Sequence, residues 1–438
     1  MRIRITNVLL MPGVTNEAHI PFIPDAEVLV DGSRIAYAGP KAGAPAFEAD
    51  EVIDGYGMLA MPGLCNMHTH TPMTLLRSIG SDLTLDRWLN EAIFPVEKHL
   101  TDEAVRAGSD LGIMEMLRFG TTSFNDMYMH MDMEAEAVRD SGMRALLGHG
   151  VVDFDESCAD LAPNIALIEK WNHAADDRIR ISLAPHSEGA TTEKVLLKIR
   201  EAAKTYRVPI HIHVSETRLD YDGSLNRRGL TPPQYLEKLG LTAHPVLAAH
   251  CVWMTDEDIE LFARRGVTVL HNPMSNLKLA SGIAPIAKML KAGCRITLGT
   301  DGVASNNNLN LWEEIKLMPM LQKGNTLDPT VVSPAQTIAA ATSGGAKAMG
   351  YEDLGQLKPG YLADLILLDL SGAHMCPCND LESNLVYSAQ GSDVALTMVN
   401  GKVLYRNGVY TTLVPRLVLE RARKQAESLL ERAAQAAK

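Results

Sequence analysis

Met61-Pro62-Gly63-Leu64-Cys65-Asn66-Met67-His68-Thr69-His70 is an apolar run that ends in two histidines one residue apart. Side chains two apart on a strand point to the same face, so His68 and His70 can aim two imidazoles at one metal ion. An HxH pair alone is weak evidence of a site. Its value depends on what ends the other apolar runs. Three segments carry comparable residues: His211-Ile212-His213-Val214-Ser215-Glu216, Ala248-Ala249-His250 and Gly299-Thr300-Asp301-Gly302.

Outward from this stretch, the middle of the chain holds eight short apolar or β-branched runs, each followed by a segment with helical character. They are Leu59–Asn66, Thr121–Asn125, Arg144–Val152, Ile179–Pro185, Val208–Val214, Val246–His250, Gly266–Leu270 and Arg295–Thr300. Strands that alternate with helices predict parallel βα units, and eight of them predict a closed (β/α)8 barrel of the TIM type. Active sites of such barrels sit at the C-terminal ends of the strands. Residues 1–58 read instead as short β segments broken by Gly and Pro, including Ile3–Leu10, Ala26–Val30 and Ile35–Ala38. The same texture returns at Gly360–Asp369, Val394–Val399 and Gly401–Tyr405. The expected organisation is a small β-sandwich domain built from both termini (1–58 and 359–438) around a barrel spanning 59–358, with Pro415 to Lys438 as an amphipathic helix.

With 438 residues, 46% of them hydrophobic, the chain can fill a large core. Its net charge of −12, without a cluster of Lys and Arg, argues against a nucleic-acid partner. No apolar run approaches the ~20 residues of a membrane span, and Met1–Asn7 leads into a strand without a signal-peptide core, so the expected compartment is the cytoplasm. Six cysteines in so long a chain do not form a disulfide framework. Cys376-Pro377-Cys378 has one intervening residue where zinc pairs have two to four, and it reads as structural. The PCxxC pattern of cytidine-deaminase-type zinc enzymes is missing.

His68 and His70 close the first run, His213 the fifth and Asp301 the eighth. Three imidazoles and a carboxylate suit Zn²⁺ or Fe²⁺ and leave a coordination position open for water, which marks a catalytic site. Taken singly, each residue has a plainer reading, a hydrogen-bonded histidine or a turn aspartate; together at strand ends they favour a metal. His211 shares the face of His213 one layer deeper, where a supporting or packing role is favoured over direct ligation. Ile181-Ser182-Leu183-Ala184-Pro185-His186 offers no lysine to bridge two metals, which favours one divalent ion per chain. Metal binding brings the pKa of a water toward neutrality, and Glu216, three residues past His213, is placed to move its proton. His250 and Asp301 can hold the attacking oxygen, with Asp301 both ligand and proton acceptor.

These residues resemble the amidohydrolase superfamily, in its branch of S-adenosylhomocysteine and 5′-methylthioadenosine deaminases, which also includes triazine hydrolases. The likeness covers nearly the whole chain. It is carried by Pro62 to His70 with Met73 and Arg77; Arg87-Trp88-Leu89 through Phe94-Pro95-Val96-Glu97; His211 to Thr217; His271-Asn272-Pro273-Met274-Ser275-Asn276-Leu277-Lys278-Leu279-Ala280-Ser281-Gly282; and Gly299 to Gly302 through Ser305-Asn306-Asn307. The resemblance implies a single metal on His68, His70, His213 and Asp301, most simply Zn²⁺ with Fe²⁺ as the other choice, and catalytic Glu216 and His250. It also implies that Trp88 covers a nucleoside substrate, Glu97 meets the ribose hydroxyls, His186 reaches the sugar and Ser305 contacts the purine.

Two departures fall where the branch meets the 5′ end of the nucleoside. Glu188-Gly189 replaces a Pro-Tyr-like pair, and His149 stands where an arginine is common. The implied reaction is hydrolytic deamination of a 5′-modified adenosine to the inosine analogue and ammonia. Rivals are a guanine or pterin deaminase, a triazine-type hydrolase, and a barrel without catalysis. A small-molecule substrate is expected, with no nucleic acid or membrane, and assembly into a homo-oligomer stays open.

Overall fold

Up to Pro62 the described residues form five strands: β1 (Arg2–Leu10), β2 (Ile23–Asp31), β3 (Arg34–Pro40), β4 (Glu51–Asp54) and β5 (Met58–Pro62). Ile3, Ile5, Val8 and Leu10 face inward along β1. The change of phase between Ile5 and Val8 is a register shift at Asn7, whose φ is +59°. The computed structural model describes residues 1–14, 18–153 and 161–436; Cys158 lies outside the described residues.

The next eight strands are β6 (Leu64–Thr69), β7 (Thr121–Tyr128), β8 (Arg144–Val151), β9 (Ile179–Pro185), β10 (Ile210–Val214), β11 (Val246–His250), β12 (Thr268–His271) and β13 (Arg295–Leu298). They pair in parallel and in sequence order from β6 to β13. Helices between them bury both faces of most strands, which is why these runs are continuously apolar. The circle closes through side chains and single amides. Asp301 N–H donates to the His68 carbonyl (2.8 Å), Thr300 N–H to Asn66 Oδ1 (2.9 Å), and Asn66 Nδ2 to Thr300 Oγ1 (2.8 Å). A Cβ on Gly299 would stand 2.6 Å from the His68 nitrogen and 2.5 Å from Asn272 Oδ1, so only glycine lets β13 approach β6. The expected (β/α)8 barrel is therefore present.

The first run departs from expectation. Leu59–Asn66 is not one strand; it divides at Gly63 between β5, in the terminal sheet, and β6, in the barrel. The physical cause is the close pass of Gly63 over Thr122, where a Cβ would lie 2.2 Å from the threonine side chain.

The last strands, β14 (Leu365–Asp369), β15 (Val394–Val399), β16 (Lys402–Arg406) and β17 (Val409–Tyr410), join the first five in one mixed sheet ordered β17-β16-β15-β14-β5-β1-β2-β3, with β4 on β1. This sheet has its own apolar core, including Ile3, Ile5, Val28, Leu365 and Leu367. It is tied to the barrel by a buried ion pair. Arg144 of β8 donates to both oxygens of Asp364 at 2.8 and 3.1 Å, and Asp364 Oδ1 also accepts from Asn400 N–H. The tail forms the helix Pro415–Ala436, which buries Val418, Ala422 and Leu429. Cys65, Cys251 and Cys294 are free, buried thiols, whereas Cys376 and Cys378 are exposed and unlinked.

Candidate active site

Six residues selected from the sequence converge at the C-terminal mouth of the barrel: His68, His70, His213, Glu216, His250 and Asp301. One ligand atom each from His68, His70 and Asp301 lie within 4.8 Å of one another, and so do those of His68, His213 and His250. Nε2 of His68 and Nε2 of His70 stand 3.4 and 3.3 Å from Asp301 Oδ1.

The strand ends set these directions. Ser215, His250 and Asp301 all have left-handed backbones, with φ of +49°, +71° and +65°. Non-glycine residues hold such angles only when surrounding structure compensates, a pattern that clusters at functional sites.

Hydrogen bonds fix which imidazole nitrogen faces the centre. Nδ1 of His70 lies 2.6 Å from the Met127 carbonyl, and Nδ1 of His213 lies 2.6 Å from the His186 carbonyl. A carbonyl only accepts, so both Nδ1 atoms carry the proton and both Nε2 lone pairs are free to bind. His250 Nδ1 is 2.8 Å from Asn276 Oδ1, which turns its Nε2 toward Glu216 Oε2 at 3.7 Å. His68 Nδ1 meets His211 Nε2 at 2.9 Å, so His211 supports the first ligand from the layer below. His68 Nε2 is buried with no hydrogen-bond partner. An imidazole lone pair left bare in the interior, among two more lone pairs and a carboxylate, fits a divalent cation.

The electrostatics agree with that fit. Burial lowers the His68 pKa to about 3 and holds His213 well below its ordinary range, so both imidazoles are neutral, the form that can bind a metal. Burial alone would raise Asp301, but the His68 imidazole 3.4 Å away and the other surrounding imidazoles hold it well below the usual carboxylate range. Its Oδ1 also accepts from Gly302 N–H, and its Oδ2 accepts from the hydroxyls of Ser275 and Ser305. Glu216 is different. Burial pushes its carboxyl up to about 7, against the pull of His250.

The other expected residues sit around this centre in distinct ways. His186 packs on His213 with ring centroids 4.5 Å apart, and burial lowers its pKa to about 4. Glu97 accepts from the Tyr128 hydroxyl, and the Tyr128 ring lies 6.3 Å from that of His70. Trp88 is buried, with its indole N–H donating to the Ile79 carbonyl at 3.2 Å. Ser305 is committed to Asp301 and to the Gly302 carbonyl. His149, at the end of β8, is half-buried and pairs in register with Tyr128. Glu188 is bound to Arg228 and lies 3.5 Å from Arg227. Tyr128, Asn276 and Ser275 were not singled out from sequence. Asn276 and Ser275 lie inside a motif that was quoted, but nothing in their residue type reveals the histidine or aspartate they touch.

A (β/α)8 barrel with histidines and an aspartate gathered at its C-terminal mouth defines a class, the metal-dependent barrel hydrolases. Within that class the chain belongs to the amidohydrolase family, whose model matches residues 59–404. It is 46% identical over 396 residues to a 5-methylthioadenosine/S-adenosylhomocysteine deaminase of Moorella thermoacetica, covering 90% of this chain and 92% of that one. It is 45% identical over 413 residues to a 5′-deoxyadenosine deaminase of Methanosarcina barkeri, covering 94% and 95%. Among solved structures, an adenosine deaminase from Xanthomonas campestris with bound zinc superposes with a TM-score of 0.93 at 33% identity, covering 98% of each chain. The chain is an enzyme of the hydrolase class acting on C–N bonds. No helix among the described residues is long and apolar enough to cross a membrane.

Proposed function

We propose that this enzyme hydrolytically deaminates the adenine ring of 5′-modified adenosines, releasing ammonia and the inosine analogue. Its substrates are 5′-methylthioadenosine, S-adenosylhomocysteine, 5′-deoxyadenosine or adenosine. The observation that carries the reading is Glu216, a buried carboxyl poised near neutrality 3.7 Å from His250 and facing the histidine cluster. Ring nitrogen N1 must gain a proton before C6 accepts a nucleophile, and a carboxyl with a pKa near the working pH both gives and recovers that proton.

His68, His70 and His213, through Nε2, and Asp301 would hold one divalent ion, with Zn²⁺ the choice that the zinc-bound relative supports. When bound, the ion supplies the Lewis acidity that makes water nucleophilic near neutral pH. Asp301, ionised and braced by Ser275 and Ser305, takes the proton that the attacking water loses. His250, fixed by Asn276, orients that water with its Nε2. Glu216 protonates N1, Asp301 passes the proton it took to the departing amine, and Glu216 recovers a proton from the C6 hydroxyl, so ammonia leaves and the 6-oxo ring remains with N1 protonated.

Glu97, presented by Tyr128, meets the ribose hydroxyls, Trp88 closes over the base and His186 lines the sugar. Ser305 borders the purine while steadying Asp301. His149 and the Glu188 region face the 5′ substituent. The buried free thiols support a reducing compartment, the cytoplasm.

The test is an ammonia-release assay across 5′-methylthioadenosine, S-adenosylhomocysteine, 5′-deoxyadenosine, adenosine, adenine and guanine, with metal content measured on the same samples. Turnover of at least one 5′-modified adenosine far above adenine and guanine is expected; preference for a free base would overturn the reading. Glu97→Ala should cut kcat/KM for nucleosides at least tenfold more than for free adenine, and equal losses would remove Glu97 from the ribose.

A further inference from the structure

Two carboxyl groups that the proposed reaction does not use lie buried beside the end of β6. Asp126, on β7, accepts at Oδ2 from the Thr69 hydroxyl (2.6 Å) and from the Thr71 N–H (2.6 Å). Those two residues flank His70. Glu134, in the helix Met131–Ser141, is as buried as Asp126, and its polar neighbours are the Asp126 carboxyl and the Thr71 hydroxyl. Among the described residues no donor meets either Glu134 oxygen or Asp126 Oδ1 in bonding geometry.

Two neighbouring carboxyls this deeply buried do not both ionise, because the low-dielectric interior leaves their repulsion unscreened. A single proton between them resolves both problems. Glu134 then donates to Asp126 Oδ1, and Asp126 keeps Oδ2 as an acceptor. Burial raises both groups, and the neighbouring Asp126 charge raises Glu134 further, well above the ordinary glutamate range.

The location gives the pair its purpose. Along β6 and β7, Asn66 pairs with Phe124 but Thr69 pairs with Asp126, so β6 carries one extra residue at Met67–His68. A bulge interrupts the ladder and re-aims the side chains beside it. Here the missing ladder bonds are replaced by side chains of β7. Asn125 Nδ2 donates to the Met67 carbonyl (2.8 Å), and Asp126 holds Thr69 and Thr71.

We propose that Asp126 and Glu134, sharing one proton, are a positioning pair that clamps the bulged end of β6 and thereby aims His68 and His70 at the metal position. The inference rests on the metal-site reading above. Neither acid touches substrate or ion; both act through Thr69 and Thr71.

The experiment measures zinc release from the Zn²⁺-loaded enzyme under excess EDTA, at one temperature well below every variant's Tm. Glu134→Gln, whose amide mimics the protonated acid toward Asp126, should keep the release half-time within twofold of the unaltered chain. Glu134→Ala should shorten it at least tenfold. Thr69→Val, a near-isosteric change that removes only the hydroxyl, should also shorten it at least tenfold, and it decides the matter should Glu134→Ala not fold. Release from Thr69→Val at the unaltered rate, or equal damage from Glu134→Gln and Glu134→Ala, overturns the proposal. An unaltered chain that binds no zinc overturns the metal reading itself, a separate outcome.

Discussion

In the proposed reaction Glu216 gives a proton and takes one back within a single turnover, and its surroundings suit it to that role. Burial works against its charge while His250, 3.7 Å away, works in favour of it, and the balance leaves the carboxyl at about 7. Glu216→Gln keeps the shape and removes the proton traffic, so kcat should fall by about 10²–10⁴. Metal content and KM should change by less than threefold. A variant that keeps more than a tenth of kcat would remove Glu216 from the proton path. At this scale much was legible: His68, His70, His213, Glu216, His250 and Asp301 were named from residue type and position at run ends. Asn276 and Tyr128 were not, because an amide or a phenol has no spacing signature. Their roles arise from the atom opposite them.

At the scale of elements, the barrel strands show how far local pattern reaches. Val246–His250 was readable to the residue because this buried parallel strand is uniformly apolar up to the polar residue that ends it, and Ile179–Pro185 because Pro185 closes a largely apolar run broken only at Arg180 and Ser182. Leu59–Asn66 was misread as one strand because periodicity is blind to which sheet a strand joins. The loops after β12 and β13 are linked by Glu314, whose oxygens accept from Met274 N–H and Asn306 Nδ2. Burial raises this carboxyl from 4.5 to about 8, so it stays protonated in the folded chain over a range where the unfolded chain has ionised it. Its contribution to stability is complete below about pH 4.5 and is lost as pH rises through about 8, with a slope of up to about 1.4 kcal/mol per pH unit. Glu314→Gln should therefore gain on the unaltered chain as pH rises from 5 to 8.5, read as the difference in Tm. A difference that stays flat across that interval would count against a protonated Glu314.

On the scale of the whole molecule, the barrel and the terminal sheet meet at Arg144 and Asp364, both almost wholly buried. Arg144 also lies over the Tyr351 ring at 4.8 Å, so the guanidinium is enclosed by an aromatic face and one carboxylate. Breaking a buried pair from one side leaves an uncompensated charge and costs about 3–5 kcal/mol. Asp364→Ala should lose about that much in chemical denaturation, while the protein that remains folded keeps its metal content and its kcat. A loss below about 1 kcal/mol would mean that the junction is held by apolar packing and by its other hydrogen bonds, such as those of Arg118 and Thr397 to backbone carbonyls across it.

The sequence by itself determined the elements and the chemistry on offer, because both are written in local order: apolar runs make strands, and histidines, a glutamate and an aspartate end them. Tertiary structure alone decided how those groups are used. Barrel closure through Asn66 and Gly299 brings Asp301 beside His68, and carbonyls from neighbouring strands choose which imidazole nitrogen is bare. Burial then separates a carboxylate that stays ionised, Asp301, from one poised near neutrality, Glu216. Such choices depend on distance and desolvation between residues far apart in the chain, and no spacing along the sequence encodes them.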